Sequence, residues 1–357
     1  MKKYKWHEWD INEFKQLSKF NKDPTKQLIH NRMGRLYWVW REDLMYIQRF
    51  ARENGPYQGR NLKFLRAICP QARTVVDVGM NIGSNTMEYA TWAQTVQGFE
   101  PFPETYDLAQ ANIELNQNVE LRGRYWNSKR QQTEHQPDHA DGWFKYPTKA
   151  FASMAITADI QLHNCALGAA AAQLQMEHHV NNAGQNCILS DSRRDSTQYR
   201  LHTVRVDTLD SFDLADVDII KLDCEGYELP VLHGALNTIQ KYRPIMQIEI
   251  TLPQCRKYGY HPDDIGKFFQ AIGNYEIFDF RGKKLPQEWN QIKGVIDRFF
   301  IPAERAHMVQ EDLSDRKHPG MGKQGFGKKK KLLAVADSIG PVTFGNGLFE
   351  VAYKHNK

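Results

Sequence analysis

The stretch Thr74-Val-Val-Asp-Val-Gly-Met-Asn-Ile-Gly-Ser84 constrains this chain more than any other. Thr74 to Val78 is a β-branched, apolar run, which predicts a buried strand. Two glycines follow, Gly79 and Gly83, and neither carries a Cβ to hold the backbone away from a ligand. Ser84-Asn-Thr-Met-Glu-Tyr-Ala-Thr-Trp-Ala93 then opens with polar residues, as a helix N-terminus does. Strand, glycine turn and helix form the nucleotide-binding loop of a doubly wound α/β sheet. Asp77 falls at the carboxyl end of the strand, where open sheets of this kind bind ligands. Asn81 replaces the second glycine of the dinucleotide pattern, and no Gly-Lys-Ser/Thr follows to cradle a phosphate.

A second strand, Thr95-Val-Gln-Gly-Phe-Glu100, ends in an acid about 20 residues past Gly79, where a ribose-binding carboxylate is expected. Together these parts predict a nucleoside-containing cofactor. The alternative is an ordinary βαβ unit with a solvated Glu100.

The chain has 357 residues, enough for one large domain with additions or two small ones. A hydrophobic share of 41% suffices for a substantial core. The net charge of +5 is compatible with an anionic partner but does not demand one. The five cysteines, Cys69, Cys165, Cys187, Cys224 and Cys255, are scattered and form no Cys-x-x-Cys pair, so they are expected to be reduced, in a cytoplasmic setting. No apolar run approaches a membrane span, and Met1-Lys-Lys-Tyr-Lys-Trp6 lacks the apolar core of a signal peptide.

Residues 1–70 are rich in aromatics, and Leu36 to Phe50 carries large apolar residues at helical spacing. This predicts a helical N-terminal cap; an aromatic, basic surface for sugars or bases is the alternative. A helix is expected from Pro103 and Glu104 onward. Residues 117–158 read as an insertion, a substrate lid or a partner surface, ahead of a strand Asp159 to Asn164. His135 and His139 within it flank Pro137 and read as solvated loop residues rather than metal ligands. Gln173–His179 and Leu201–Val206 alternate like strands of a hairpin arm, with His178, His179 and His202 on its surface. Further strands are expected at Val217–Asp223, Pro244–Ile250, Tyr275–Phe280 and Val295–Ile301, with helices at Leu229–Tyr242 and His261–Gly273. The domain should run over 71–305. Beyond it, residues 306–357 form a basic Gly/Lys-rich linker and a short extension.

Asp223-Cys-Glu-Gly-Tyr-Glu228 places three acids within six residues at the ligand-binding edge. Like charges this close raise one another's pKa values unless a cation lies among them. That cation could be a positive group of a bound cofactor or a hard ion such as Mg²⁺, with Asp223 and Glu225 as its candidate ligands. Glu228 reads as a carboxylate favoured by the N-terminus of the next helix. Glu249 is a third candidate, as a base or as a residue that orients substrate; pairing with a buried Arg or Lys is the alternative.

Asp77-Val-Gly-Met-Asn-Ile-Gly83, Phe99-Glu-Pro-Phe-Pro103, Ala111-Asn-Ile-Glu-Leu-Asn116, Asn164-Cys-Ala-Leu-Gly168, Val206-Asp-Thr-Leu-Asp210 and Ile220-Lys-Leu-Asp-Cys-Glu-Gly-Tyr-Glu228 occur in that order. The series resembles the FkbM family of S-adenosylmethionine-dependent methyltransferases. The resemblance implies a class I methyltransferase fold, a Rossmann-like α/β domain with a mostly parallel sheet, and O-methylation of a sugar or other hydroxylated small molecule. On that reading Asp77, Gly79, Asn81, Gly83 and Ser84 hold the amino-acid end of S-adenosylmethionine. Glu100, with Pro101 and Phe102, serves the ribose, and Asn164, Cys165, Ala166 and Leu167 flank the adenine. Asp223, Glu225 and Glu249 are left as the catalytic candidates, accepting a hydroxyl proton directly or through Mg²⁺. Three rival readings remain. One is a ribose 2′-O-methyltransferase acting on nucleic acid, one a nicotinamide-dependent oxidoreductase, and one a non-catalytic cofactor-binding or assembly protein.

Overall fold

The computed structural model describes Phe20 and residues 23–30, 35–43, 56–117, 155–179, 183–190, 199–286 and 296–309. In chain order the elements begin with β1 (Lys26–His30), β2 (Leu36–Trp40), α1 (Gly59–Ile68), β3 (Thr74–Val78), α2 (Ser84–Tyr89), β4 (Thr95–Phe99), α3 (Pro103–Gln117) and β5 (Asp159–His163). Next come β6 (Ala166–Leu167), β7 (Ala172–His179), β8 (Cys187–Ile188), β9 (Tyr199–Asp207) and β10 (Val217–Leu222). The last are α4 (Glu228–His233), α5 (Leu236–Tyr242), β11 (Ile245–Ile250), α6 (Leu252–Lys257), α7 (Pro262–Ile272), β12 (Tyr275–Phe278) and β13 (Ile296–Pro302).

Seven strands form the central sheet in the order β12-β13-β11-β10-β3-β4-β5. β3, β4, β5, β10 and β11 run parallel, and β13 is antiparallel to both of its neighbours. The central strands are covered on both faces: β3 and β10 are buried along their whole length. That is the pattern expected where helices cover both sides of a parallel sheet. The chain winds outward through β4 and β5 on one side of β3, then returns to β10 and β11 on the other. A switch point therefore opens between β3 and β10, and the crevice outside their carboxyl ends is where such folds bind ligands. This is the class I methyltransferase architecture.

A second, four-stranded sheet, β6-β9-β7-β8, is built from the chain between β5 and β10. The expected arm is its central pair, β7 and β9, joined antiparallel from Ala172–Val206 to His179–Tyr199. His178 is not on its surface as expected. It is 5% exposed, because its ring stacks on Phe102 at 4.2 Å.

Two expected helices differ. Within the described part, 36–43, of the stretch with helical spacing, Leu36 to Trp40 is a strand paired with β1. Leu-Tyr-Trp-Val-Trp is a run of strand-favouring side chains, and its open edge finds partners on α3. Asn112 Oδ1 accepts from Trp38 N at 2.6 Å and Asn116 Oδ1 from Leu36 N at 3.1 Å, while their amides donate to Trp38 O and Leu36 O at 3.2 and 2.6 Å. One helical turn apart, the two asparagines do the work of a neighbouring strand. The helix expected over 229–242 is broken at Gly234 into α4 and α5. A Cβ on Gly234 would come within 1.9 Å of Gly168 O, so the second sheet's backbone is pressed against the break. α7 matches its expected span, with His261 and Asp264 forming a capping box.

Most of the insertion, with His135 and His139, and the basic tail lie outside the described residues, as do residues 1–19. Among the described residues, no helix is long and apolar enough to cross a membrane.

Candidate active site

Asp77 and Lys221 are register partners across β3 and β10, so their side chains meet at the switch point. Lys221 Nζ lies 3.1 Å from Asp77 Oδ1 and 3.5 Å from Asp223 Oδ2, and it donates to Gly79 O at 3.2 Å. Thr86 of α2 donates to Asp77 Oδ2 at 2.7 Å. Asp77 is fully buried and Lys221 only 3% exposed. Burial opposes the lysine's charge, but Asp77 and Asp223 outweigh it and hold Lys221 well above its ordinary value. Asp77 therefore supports the glycine loop from beneath, with both oxygens engaged.

Above it the loop turns through left-handed conformations at Gly79, Asn81 and Gly83, with φ of 74°, 51° and 80°. Gly79 N and Met80 N donate to Phe99 O, and Asn81 Oδ1 accepts from Ile82 N at 2.7 Å. Ser84, the first residue of α2, is 3% exposed.

Glu100 follows β4 directly and is 4% exposed. Its Oε2 accepts from Asn81 N at 3.1 Å and its Oε1 from Phe102 N at 3.0 Å. Burial pushes its carboxyl up to about 7, against the pull of those two N–H groups. Asn164 Nδ2 donates to Glu100 O at 2.9 Å and Pro101 O at 3.2 Å, clamping this segment to the end of β5. The Phe102 ring points away, stacked on His178 with His202 edge-on at 4.7 Å. The side chains of Cys165, Ala166 and Leu167 are buried, so toward the edge they offer backbone groups.

The turn after β10 carries the acids. Asp223, Glu225 and Glu249 bring one carboxylate oxygen each within 4.8 Å of one another. Glu225 sits at φ 54°, an unfavourable conformation for a residue with a Cβ. The turn is held by Glu228, whose Oε1 accepts from Cys224 N at 2.9 Å and Gly226 N at 3.1 Å. The Tyr260 hydroxyl lies 2.9 Å from Gly226 O and 3.2 Å from Glu228 Oε2. Glu228 is thus fully engaged in shaping the turn. Gln254 of α6 donates to Glu225 Oε2.

Electrostatics sets the trio apart. The Asp223 charge, then burial, Glu225 and Asp297, push Glu249 up to about 10. Burial, then Asp223 and Glu228, push Glu225 up to about 8. Without a cation the cluster shares protons at neutral pH. Asp297, the register partner of Glu249 on β13, accepts from Gln247 Nε2 at 3.0 Å. Sequence reasoning missed Asp297, Gln254 and Thr86. A charged pair, Asp297 and Arg298, at the head of an otherwise apolar strand was the available signal for Asp297; Gln254 and Thr86 carry none.

These residues fit S-adenosylmethionine. Each Glu100 oxygen accepts one backbone N–H and keeps a further lone pair, so the carboxylate can take two vicinal hydroxyls. The loop beside it presents backbone rather than bulky side chains, and the acid turn is a cation-seeking surface at the same edge.

A family model described as the methyltransferase FkbM domain matches residues 77–276, more than half of the chain. Among solved structures, the chain is similar to a methyltransferase FkbM from Methylobacillus flagellatus KT, at 17% identity over 64% of this chain and 43% of that one, with a TM-score of 0.34. The chain thus spans less than half the length of that protein. It is also similar to a TehB-like SAM-dependent methyltransferase from Corynebacterium glutamicum, at 13% identity over 73% of this chain and 97% of that one, with a TM-score of 0.34. A third is an rRNA methylase from Streptococcus thermophilus, at 11% identity over 68% and 93%, with a TM-score of 0.30. No curated protein matches the chain.

Proposed function

The chain belongs to the FkbM family of S-adenosylmethionine-dependent methyltransferases, and from that premise we propose that it methylates a hydroxyl oxygen of a sugar or similar hydroxylated small molecule. The observation that carries this reading is the convergence of Asp223, Glu225 and Glu249 within 4.8 Å beside the glycine loop. When bound, S-adenosylmethionine supplies an electrophilic methyl group on a positive sulfonium.

Glu100 would accept the ribose hydroxyls on its free lone pairs, and the backbone of Gly79, Asn81 and Gly83, with Ser84, would hold the amino-acid end. Pro101 and Phe102 would serve the ribose by their backbone, and Asn164 to Leu167 would flank the adenine in the same way. An alcohol is a poor nucleophile until its proton begins to leave. Asp223 is assigned that proton, because Lys221 at 3.5 Å balances the charge it carries. Glu249, protonated at neutral pH, shares a hydrogen bond with Asp223 and so holds that carboxylate in place, and Glu225 orients a second hydroxyl. Alignment of the hydroxyl is the chief contribution of the site.

A second reading rests on the same three oxygens. They suit a hard divalent cation such as Mg²⁺, which takes oxygen ligands. The nucleic-acid alternative is less well supported. A lysine–acid ribose site needs an accessible lysine, whereas Lys221 is 3% exposed and bound to Asp77 and Gly79.

The test is a pair of variants read by calorimetric binding and by methyl transfer to a panel of sugars. Glu100→Ala should weaken S-adenosylhomocysteine binding about 10- to 100-fold, since charge-assisted hydrogen bonds are lost. Asp223→Asn should lower turnover about 10²- to 10⁴-fold and leave cofactor affinity within about threefold. Full turnover in Asp223→Asn would sink the base assignment. Turnover abolished by EDTA and restored by Mg²⁺ would favour the second reading.

A further inference from the structure

Lys257 and Cys187 lie 70 residues apart in sequence, on α6 of the methyltransferase domain and β8 of the second sheet. Their Nζ and Sγ atoms are 2.7 Å apart. That is as short as a good N–H···O bond, although sulfur is the far larger atom, and it lies inside van der Waals contact of nitrogen and sulfur. Glu177 Oε2 is 3.6 Å from each of the two atoms, and Glu177 is the register partner of Cys187 on β7. All three groups are sheltered: Cys187 is 6% exposed, Glu177 3%, and the Lys257 side chain 7%. Tyr258 adds a fixed link between the same elements, its hydroxyl donating to Ile188 O at 2.6 Å. Neither side chain has a role in the cofactor or acid site.

We propose that Cys187 and Lys257 form a covalent, reversible crosslink in which one oxygen atom bridges Sγ and Nζ, with peroxide as the oxidant. The observed separation suits two single bonds meeting at a bent oxygen, whereas a direct S–N bond would require the two atoms to close up. The chemistry balances as follows. Lys257 gives up its ammonium proton to Glu177. One peroxide converts the thiol to a sulfenic acid and leaves as water, sulfur losing two electrons. A second converts the amine to a hydroxylamine and leaves as water, nitrogen losing two electrons. Condensation of S–OH with N–OH expels a third water and leaves N–O–S. Burial admits a small peroxide and excludes bulky disulfides, which directs the sulfenic acid to its neighbour instead of to glutathione.

The crosslink would tie the second sheet to α6, which follows the β11 strand bearing Glu249. It would also convert a cation near Glu225 into a weakly basic nitrogen. Oxidised protein should therefore lose methyl transfer, an effect that rests on the function proposed above; the crosslink itself does not.

The experiment is peptide mass spectrometry of the full chain after hydrogen peroxide, without and with dithiothreitol. The expected result is one crosslinked peptide pair joining Cys187 and Lys257, heavier than the sum of its parts by about 14 Da, one oxygen gained and two hydrogens lost. Dithiothreitol should restore the two free peptides. The pair should be absent from Cys187→Ser and from Lys257→Arg, each checked for folding by circular dichroism. Four results on wild-type protein would each overturn the proposal: free Cys187, Cys187 as sulfinic acid with Lys257 unmodified, a Cys187 disulfide, or a crosslink lacking the added oxygen. None depends on the variants or on activity.

Discussion

Gly79 lies against Asp223 so closely that a Cβ on the glycine would come within 2.0 Å of the aspartate's backbone oxygen. The loop after β3 and the acid turn after β10 are therefore packed backbone to backbone. The glycine that reads in sequence as room for a ligand is room for the neighbouring turn.

Gly79→Ala should accordingly damage both halves of the site. The residue sits at φ 74°, where a side chain is strained, and the new methyl must displace Asp223. A loss of about 1–3 kcal/mol in stability is expected, with S-adenosylhomocysteine affinity and turnover falling together. Thermal denaturation and calorimetry measure the two, and wild-type values for both would refute the packing argument.

On the proposed role of Glu100, cofactor affinity should depend on pH. Burial raises its carboxyl from 4.5 to about 7 in the folded protein. Between those values the folded chain binds more protons than the unfolded one, so this group's contribution to stability falls as pH rises through that window and is constant above it. In the proposed role ribose hydroxyls would donate to the ionised form, so binding should have the opposite slope. Affinity for S-adenosylhomocysteine should be about tenfold weaker at about pH 6 than at about pH 8. Calorimetry in two buffers of different ionisation enthalpy should show proton release at the lower pH. Glu100→Gln should flatten the profile; an unchanged slope in that variant would assign the pH dependence elsewhere.

The buried pair Asp77–Lys221 should behave as a unit. Lys221→Met leaves Asp77 charged and uncompensated at a position with no solvent exposure. A cost of about 3–5 kcal/mol is expected. Asp77→Asn combined with Lys221→Met should recover most of it, because neither side then buries a lone charge. Urea denaturation of the two singles and the double gives the coupling energy. Additive losses would show that the pair is not coupled.

Much of the frame is legible in the residues themselves. The run Thr74 to Val78, the glycine turn and the acid at Glu100 are local signals: each is set by backbone conformation and burial within a few residues. So are the capped helix at Pro262–Ile272 and the alternation that marks β7 and β9. The Asp223–Glu228 turn was likewise visible as acids crowded at a strand end.

What the residues alone determined is which side chains stand at the carboxyl ends of which strands, because periodicity and turn chemistry act over short range. Tertiary structure alone decided which of them meet. Lys221 is drawn under the loop by Asp77 on the adjacent strand, and Glu249 faces Asp297 across a strand pair that no local pattern announces. The strand at Leu36–Trp40 exists because Asn112 and Asn116 satisfy its open edge from a helix far along the chain. Cys187 and Lys257 meet because the second sheet folds back onto α6. In each case the deciding term is a contact between distant segments, in a low-dielectric interior where an unpaired polar group is costly.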